Sequence, residues 1–233
     1  MIMSLKKYFA QIISVIIIAT CNLQAQDNLM VIPDFNKIIV KGNLSINYYE
    51  SDEIGITIPD NELSTTVTYV VKKNKLKIKN KRFKSNRNYT VTASVYGKPL
   101  NQITLRAGAI VKSEGNILTD TVKILLTSGS ELYSNAENKK IHSRINRGSF
   151  FQYTGKTDEL KLRTCSGAKF RGNKAEIGQA YVKANTGGFA ALATKIKGKA
   201  SLGGEIKVYG AQQSNTIKKI LWGKITEGDE NEL

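Results

Sequence analysis

A tripeptide of a small or polar residue, Gly and a third residue recurs through the second half of the chain. No other feature constrains the fold as tightly. It appears as Ala107-Gly108-Ala109, Ser128-Gly129-Ser130, Arg147-Gly148-Ser149, Ser166-Gly167-Ala168, Gly187-Gly188-Phe189 and Gly203-Gly204-Glu205. Successive glycines 108, 129, 148, 167, 188 and 204 are 21, 19, 19, 21 and 16 residues apart. A short apolar alternation precedes most of them: Ile103/Leu105, Val122/Ile124, Ile141/Ile145, Leu160/Leu162 and Tyr181 to Ala184. Apolar residues follow at Ile110, Leu132, Phe150 and Phe170. A fixed period of about 20 residues signals a solenoid, and alternation with period two makes each unit β rather than helical. One such unit cannot bury its own apolar face, but stacked units bury a continuous core and pair each backbone with its neighbours. The glycine then marks a corner needing a left-handed backbone or a close approach. Small residues such as Ser128, Ser130, Ser149, Ser166 and Ala168 would form ladders where the cross-section is tight.

The first half alternates without that period. Phe35, Ile38 and Val40 are followed by a Gly42-Asn43 step and then by Leu44, Ile46 and Tyr48, which reads as a hairpin. Ile54 to Ile58 stops at Pro59-Asp60-Asn61. Val67–Val71 and Leu76–Ile78 flank Lys73-Asn74, and Tyr89, Val91, Ala93 and Val95 alternate with polar residues. The expectation is an all-β chain: a parallel (right-handed) β-helix with turns of about 20 residues over 99–226, flanked by N-terminal hairpins over 26–98. The hairpins would cap one end of the stack. A closing segment with Ile217, Ile220, Leu221, Trp222 and Ile225 would cap the other, with Trp222 in the core. Residues 227–233 read as a flexible acidic tail.

Residues 1–25 read as an export signal. Lys6 and Lys7 are its basic start, Tyr8 to Ala19 its apolar stretch, and Leu23-Gln24-Ala25 its cleavage site. The apolar run is short for a membrane span. Lipidation at Cys21, after Ile18-Ala19-Thr20, is the alternative to cleavage after Ala25. Without the signal, 208 of the 233 residues remain, with 33 basic and 19 acidic residues and a charge of +14 against +16 for the whole chain. Cys165 would then be the one cysteine left, which excludes an internal disulfide. It reads as a small buried apolar side chain.

The basic residues cluster in one place: Lys72, Lys73, Lys75, Lys77, Lys79, Lys81, Arg82, Lys84 and Arg87, with no acid between them. This run is the candidate binding site, suited to an acidic glycan, anionic lipid headgroups or another acidic partner. Against that, Lys75, Lys77 and Lys79 alternate with Leu76 and Ile78, as on a solvated strand face, and lysines on an edge also discourage aggregation. Nucleic acid is not expected, because only Phe83 and Tyr89 are nearby to stack on bases.

Chemistry is sparsely represented. Acids in the repeats are scattered over Glu114, Asp120, Glu131, Glu137, Asp158, Glu159, Glu176 and Glu205. The adjacent pair Asp158-Glu159 would point to opposite faces of a strand, and is read as a turn. His142 is the single histidine and sits among Ser143 and Arg144, as at a surface corner. No catalytic set, metal site or cofactor motif is assigned.

Three segments together resemble a known group. They are Phe35-Asn36-Lys37-Ile38-Ile39-Val40-Lys41-Gly42, the short strands with Gly corners, and Gly203-Gly204-Glu205-Ile206-Lys207-Val208-Tyr209-Gly210 with Trp222-Gly223-Lys224-Ile225. The chain resembles the putative auto-transporter adhesin family with a head GIN domain, found in envelopes of Gram-negative bacteria, over roughly residues 32–226. The resemblance implies a β-helix-like fold in an exported or surface protein, with possible outer-membrane association, and no established activity. Two functions of different class remain: a non-catalytic envelope protein that binds a glycan or protein partner along its β-helix face, and a polysaccharide-active enzyme. An enzyme would need carboxylates converging in a groove. A structural module of the envelope is a third.

Overall fold

The structure is a computed structural model that describes residues 29–59, 64–81, 90–116, 118–210 and 216–229. The export signal with Cys21, the basic residues Arg82, Lys84 and Arg87, and the end of the acidic tail lie outside the described residues. Strands β1 (Met30–Val31), β2 (Lys37–Lys41), β3 (Leu44–Glu50) and β4 (Gly55–Thr57) precede a 3₁₀ turn at Ser64–Thr66. Strands β5 (Val67–Val71), β6 (Lys75–Asn80) and β7 (Val91–Gly97) follow. The remaining strands come in pairs: β8 (Leu100–Arg106) with β9 (Ile110–Glu114), β10 (Leu118–Thr127) with β11 (Glu131–Ser134), β12 (Glu137–Asn146) with β13 (Phe150–Tyr153). The series continues with β14 (Lys156–Cys165) and β15 (Lys169–Gly172), then β16 (Glu176–Asn185) and β17 (Phe189–Leu192). It closes with β18 (Ile196–Ser201) and β19 (Glu205–Tyr209), then β20 (Thr216–Ile220) and β21 (Lys224–Gly228).

Each pair is one coil of a β-solenoid. The first strand lies in a long-strand sheet ordered β20-β18-β16-β14-β12-β10-β8-β2-β6-β5. The second lies in a short-strand sheet ordered β1-β4-β7-β3-β9-β11-β13-β15-β17-β19-β21. Successive coils pair in parallel, in register, from β8–β9 to β20–β21. Among the described residues, antiparallel pairing occurs only at one end, where β1 and β4 finish one sheet and β5 the other.

The corners explain the glycines. Each coil turns through two consecutive left-handed residues: 107-108, 128-129, 147-148, 166-167, 186-187, 202-203 and 221-222. The second is Gly in all but the last, where Trp222 has φ 56°. At these corners the Gly129 N–H donates to the Arg147 carbonyl and the Gly148 N–H to the Ser166 carbonyl, so corners as well as strands are laddered. The third corner position points inward and holds Ala109, Ser130, Ser149, Ala168, Gly188, Gly204 and Gly223. A Cβ at Gly204 would come within 2.2 Å of the Ala184 carbonyl oxygen, so this position is bare because backbone fills the space. The Ser130 hydroxyl donates to the buried Leu105 carbonyl at 3.1 Å and lies 3.4 Å from the Ser149 hydroxyl, so the expected ladder holds for these two, whereas Ser128 and Ser166 take the exposed first corner position.

The core is a set of inward columns. One column of the short-strand sheet reads Ala93, Ile46, Val111, Leu132, Phe151, Phe170, Ala190, Ile206 and Ile225 in register. Opposite it, Ile78, Val40, Leu105, Leu126, Ile145, Thr164, Ala184, Ala200 and Lys219 form another. In the second column the side chains shrink from Leu126 and Ile145 to Ala184 and Ala200, and the column ends on a lysine. Glu227 likewise continues the inward position of Val208. Trp222 is not core: at the last corner it is 82% exposed, with Leu221 64% exposed beside it.

The expected hairpin over 35–49 does not form. β2 pairs in parallel with β6 and β8, while β3 pairs in parallel with β7 and β9 in the other sheet, so Gly42-Asn43 is a coil corner. A hairpin arm and a coil strand share the same period-two alternation, and Gly42 at φ 94° suits either turn. The hairpin over 67–78 does form: Lys73 and Asn74, at φ 53° and 56°, join antiparallel β5 and β6. The coil β6–β7 stacks outside β2–β3, so the first coil in the chain is second in space.

Candidate binding face

The period that builds the coils also stacks their outer side chains. The third residue before each corner points outward on the long-strand sheet. In five successive coils it is Arg144, Arg163, Lys183, Lys199 and Lys218, paired strand to strand in register. At about 4.8 Å per strand the ladder is about 19 Å long. A neighbouring column reads Lys123, His142, Lys161, Tyr181 and Lys197. Between them lies a broad, shallow groove of about 810 Å³, lined by side chains including His142, Arg163, Tyr181 and Lys199. The Tyr181 ring and the aliphatic stems of the Lys and Arg residues give it an apolar floor beneath charged tips.

Acids do not neutralise this ladder. On the long-strand sheet, Lys139 pairs with Asp120 at 2.7 Å and Lys156 with Glu176 at 3.1 Å near the strand starts, and Lys161 of the neighbouring column pairs with Glu159 at 3.0 Å in mid-strand. The hydrogen bond from Lys161 holds the Glu159 carboxyl below the usual carboxylate range. Among the described residues, none of the five ladder cations has a carboxylate partner. Like charges directly opposite on neighbouring strands are destabilising. The face keeps four such contacts in a row.

The basic run seen in the sequence lies on the same face, at the other end. Lys75, Lys77 and Lys79 of β6 point outward and align with Lys37, Ile39 and Lys41 of β2. Lys72 and Lys73 sit at the exposed β5–β6 turn, and Lys81 just beyond β6. In the ladder's own column Ile39, Thr104 and Leu125 separate Lys77 from Arg144, while Arg106 and Lys123 carry charge on the two intervening strands. The ladder itself escapes a reading of the linear sequence, because its members are 16 to 20 residues apart. Counting back three residues from each corner finds it.

Four other residues sit differently from expectation. Cys165 is not in the core but half-exposed in an outward column between Asn146 and Asn185, its thiol donating to Asn146 Oδ1 at 2.6 Å. His142 is in mid-strand on β12, not at a corner, and Asp158-Glu159 lie within β14, not in a turn. In each case the period-two pattern continues through residues whose polarity suggests a break. Among the described residues, no group of three or more His, Cys, Asp or Glu side chains could hold a metal ion.

No curated protein matches the chain at a significant level. Solved structures do. A putative adhesin from Bacteroides fragilis is 19% identical with a TM-score of 0.73, covering 86% of this chain and 95% of that one. A putative adhesin from Parabacteroides merdae is 18% identical with a TM-score of 0.64, covering 87% and 95%. A putative lipid binding protein from Parabacteroides distasonis is 17% identical with a TM-score of 0.62, covering 87% and 96%. These likenesses show a shared fold. The family described as putative auto-transporter adhesin, head GIN domain, matches residues 34–211. With that match spanning nearly all of the coils, the chain belongs to this adhesin-named family of exported or surface proteins.

Proposed function

We propose that the protein is a non-catalytic, adhesin-like module of the cell envelope whose long-strand sheet binds an extended acidic partner, an acidic glycan, laid along the solenoid axis. The observation that carries this is the uncompensated ladder Arg144, Arg163, Lys183, Lys199 and Lys218. A solvated face without a ligand would gain by alternating its charges, because each opposed like pair costs up to about 1 kcal/mol. A polyanion with charges a few Å apart turns that cost into attraction. The apolar floor at Tyr181 would take the uncharged faces of sugar rings. The family's adhesin name agrees with a binding role, and the dispersal of the acids favours binding over catalysis.

The test is retention on immobilised heparin, a model polyanion, eluted with salt. The triple variant Arg163→Gln, Lys183→Gln, Lys199→Gln should elute at markedly lower salt. Lys75→Ser, Lys77→Ser, Lys79→Ser should lower it less, since that block lacks the groove. Unchanged elution of the first variant rejects the reading. Release of reducing ends from acidic glycans incubated with the protein would instead establish an enzyme.

A further inference from the structure

A second depression lies on the opposite side of the solenoid, on the outer face of the short-strand sheet. There, Gln152, Arg171, Ala191 and Lys207 occupy successive outward positions of β13, β15, β17 and β19. Ala191 interrupts this row of long side chains with a methyl group. The gap above it is a cavity of about 400 Å³ that also meets Asn173, Phe189 and Tyr209. Ala191 is only 2% exposed, so it forms a floor beneath taller neighbours.

Arg171 and Lys207 are placed at the rims of the gap by aromatic rings. The Arg171 guanidinium carbon is 5.7 Å from the centroid of Phe150, and Lys207 Nζ is 5.0 Å from that of Tyr209. Cation–ring contacts of this kind stabilise the positions of the charged groups. The last coil is shaped to allow it: a Cβ at Gly228 would lie 2.3 Å from the Tyr209 ring, so glycine there leaves the ring its place. Among the described residues, no acidic one lines the cavity.

This is a small, walled site lined by three cations, Arg171, Lys174 and Lys207, of which Arg171 and Lys207 lie about two strand spacings, or roughly 10 Å, apart at the backbone. Its volume suits one or two sugar residues. Arg171 can meet a carboxylate with two parallel hydrogen bonds, and Lys207 adds a second charge. The Phe189 ring offers an apolar wall to the C–H face of a pyranose, and the amides of Gln152 and Asn173 suit its hydroxyls. We propose that the cavity above Ala191 binds a single carboxylated sugar residue between Arg171 and Lys207. The site shares no residue with the basic ladder and does not depend on it.

Calorimetry and ligand-observed NMR on the protein, with methyl glucuronide, methyl glucoside and acetate as probes, test this. Methyl glucuronide should bind saturably and at least tenfold more tightly than the neutral glucoside or acetate. Ala191→Leu fills the gap without changing charge and should weaken glucuronide binding at least tenfold. Arg171→Gln, at an exposed position, should do the same and decides the matter if Ala191→Leu fails to fold. Arg163→Gln, on the other sheet, should leave this binding unchanged while lowering heparin retention. The proposal is overturned by absence of saturable glucuronide binding, by equal binding of acetate, or by insensitivity to Arg171→Gln.

Discussion

At the scale of single residues, glycine does two separate jobs that look alike in the sequence. Gly148 has φ 69° and nothing within 4 Å of where a Cβ would sit, so it is needed for its backbone alone. Gly204 has an ordinary φ but no room, with the Ala184 oxygen at 2.2 Å. Gly148→Ala should cost about 1 kcal/mol, the usual left-handed penalty. Gly204→Ala must displace backbone and should cost more, on the order of 3 kcal/mol. Trp222→Gly, at φ 56° and well exposed, should stabilise by about 0.5–1 kcal/mol. Urea denaturation of the three variants checks the ranking. The recurrence of corners was legible in the sequence, but which glycine of 187-188 and 203-204 turns the chain was not. Gly187 and Gly188 lie 20 and 21 residues after Gly167, so the period does not choose between them, whereas backbone sign selects the first of each pair. Trp222 was misplaced for a related reason: amid Ile220 and Leu221 it reads as core, yet it occupies a corner position, and corners face water.

At the scale of strands, alternation identifies a strand and its buried face without naming its partner. That is why β2 and β3 read as a hairpin but lie in different sheets, while β5 and β6 read as a hairpin and form one. The strands at the two ends also need protection, since each exposes a row of unpaired backbone groups. At the N-terminal end, antiparallel β1, β4 and β5 break the parallel register. At the other end, Lys219 and Glu227 take inward positions that Ala200 and Val208 fill one coil earlier. Charges there penalise any further coil laid on top. Replacing both, as Lys219→Ile with Glu227→Val, should let molecules associate end to end. Size-exclusion chromatography with light scattering should then show dimers or larger species at concentrations where the parent protein is monodisperse. An unaltered elution profile would reject this protective role for Lys219 and Glu227.

At the scale of the whole molecule, charge and fold are in tension. The chain carries a net +16, and stacking aligns cations that the sequence keeps far apart. Raising salt from low to moderate ionic strength should therefore raise the thermal midpoint by several degrees, as screening relieves the repulsion along the long-strand sheet. The triple ladder variant should lose most of that salt response, and differential scanning fluorimetry over a salt series measures both. Solenoid class and family were legible because period and alternation are properties of the chain. The binding face was only half legible: Lys75, Lys77 and Lys79 are neighbours in sequence, whereas Arg163 and Lys183 become neighbours only once the coils are stacked.

The inverted order of the first two coils bears on how the protein is made. Synthesis delivers the N-terminal segments first. A stack wound from one end could add each new coil to a finished rim as it emerged. Here the coil made first, β2–β3, ends up between β6–β7 and β8–β9, so it emerges with both rims bare. It must wait for one later segment to cover it from each side. A nascent chain that has not yet reached Arg106 therefore has its first-made coil covered from one side only, and the other rim closes when β8 and then β9 arrive.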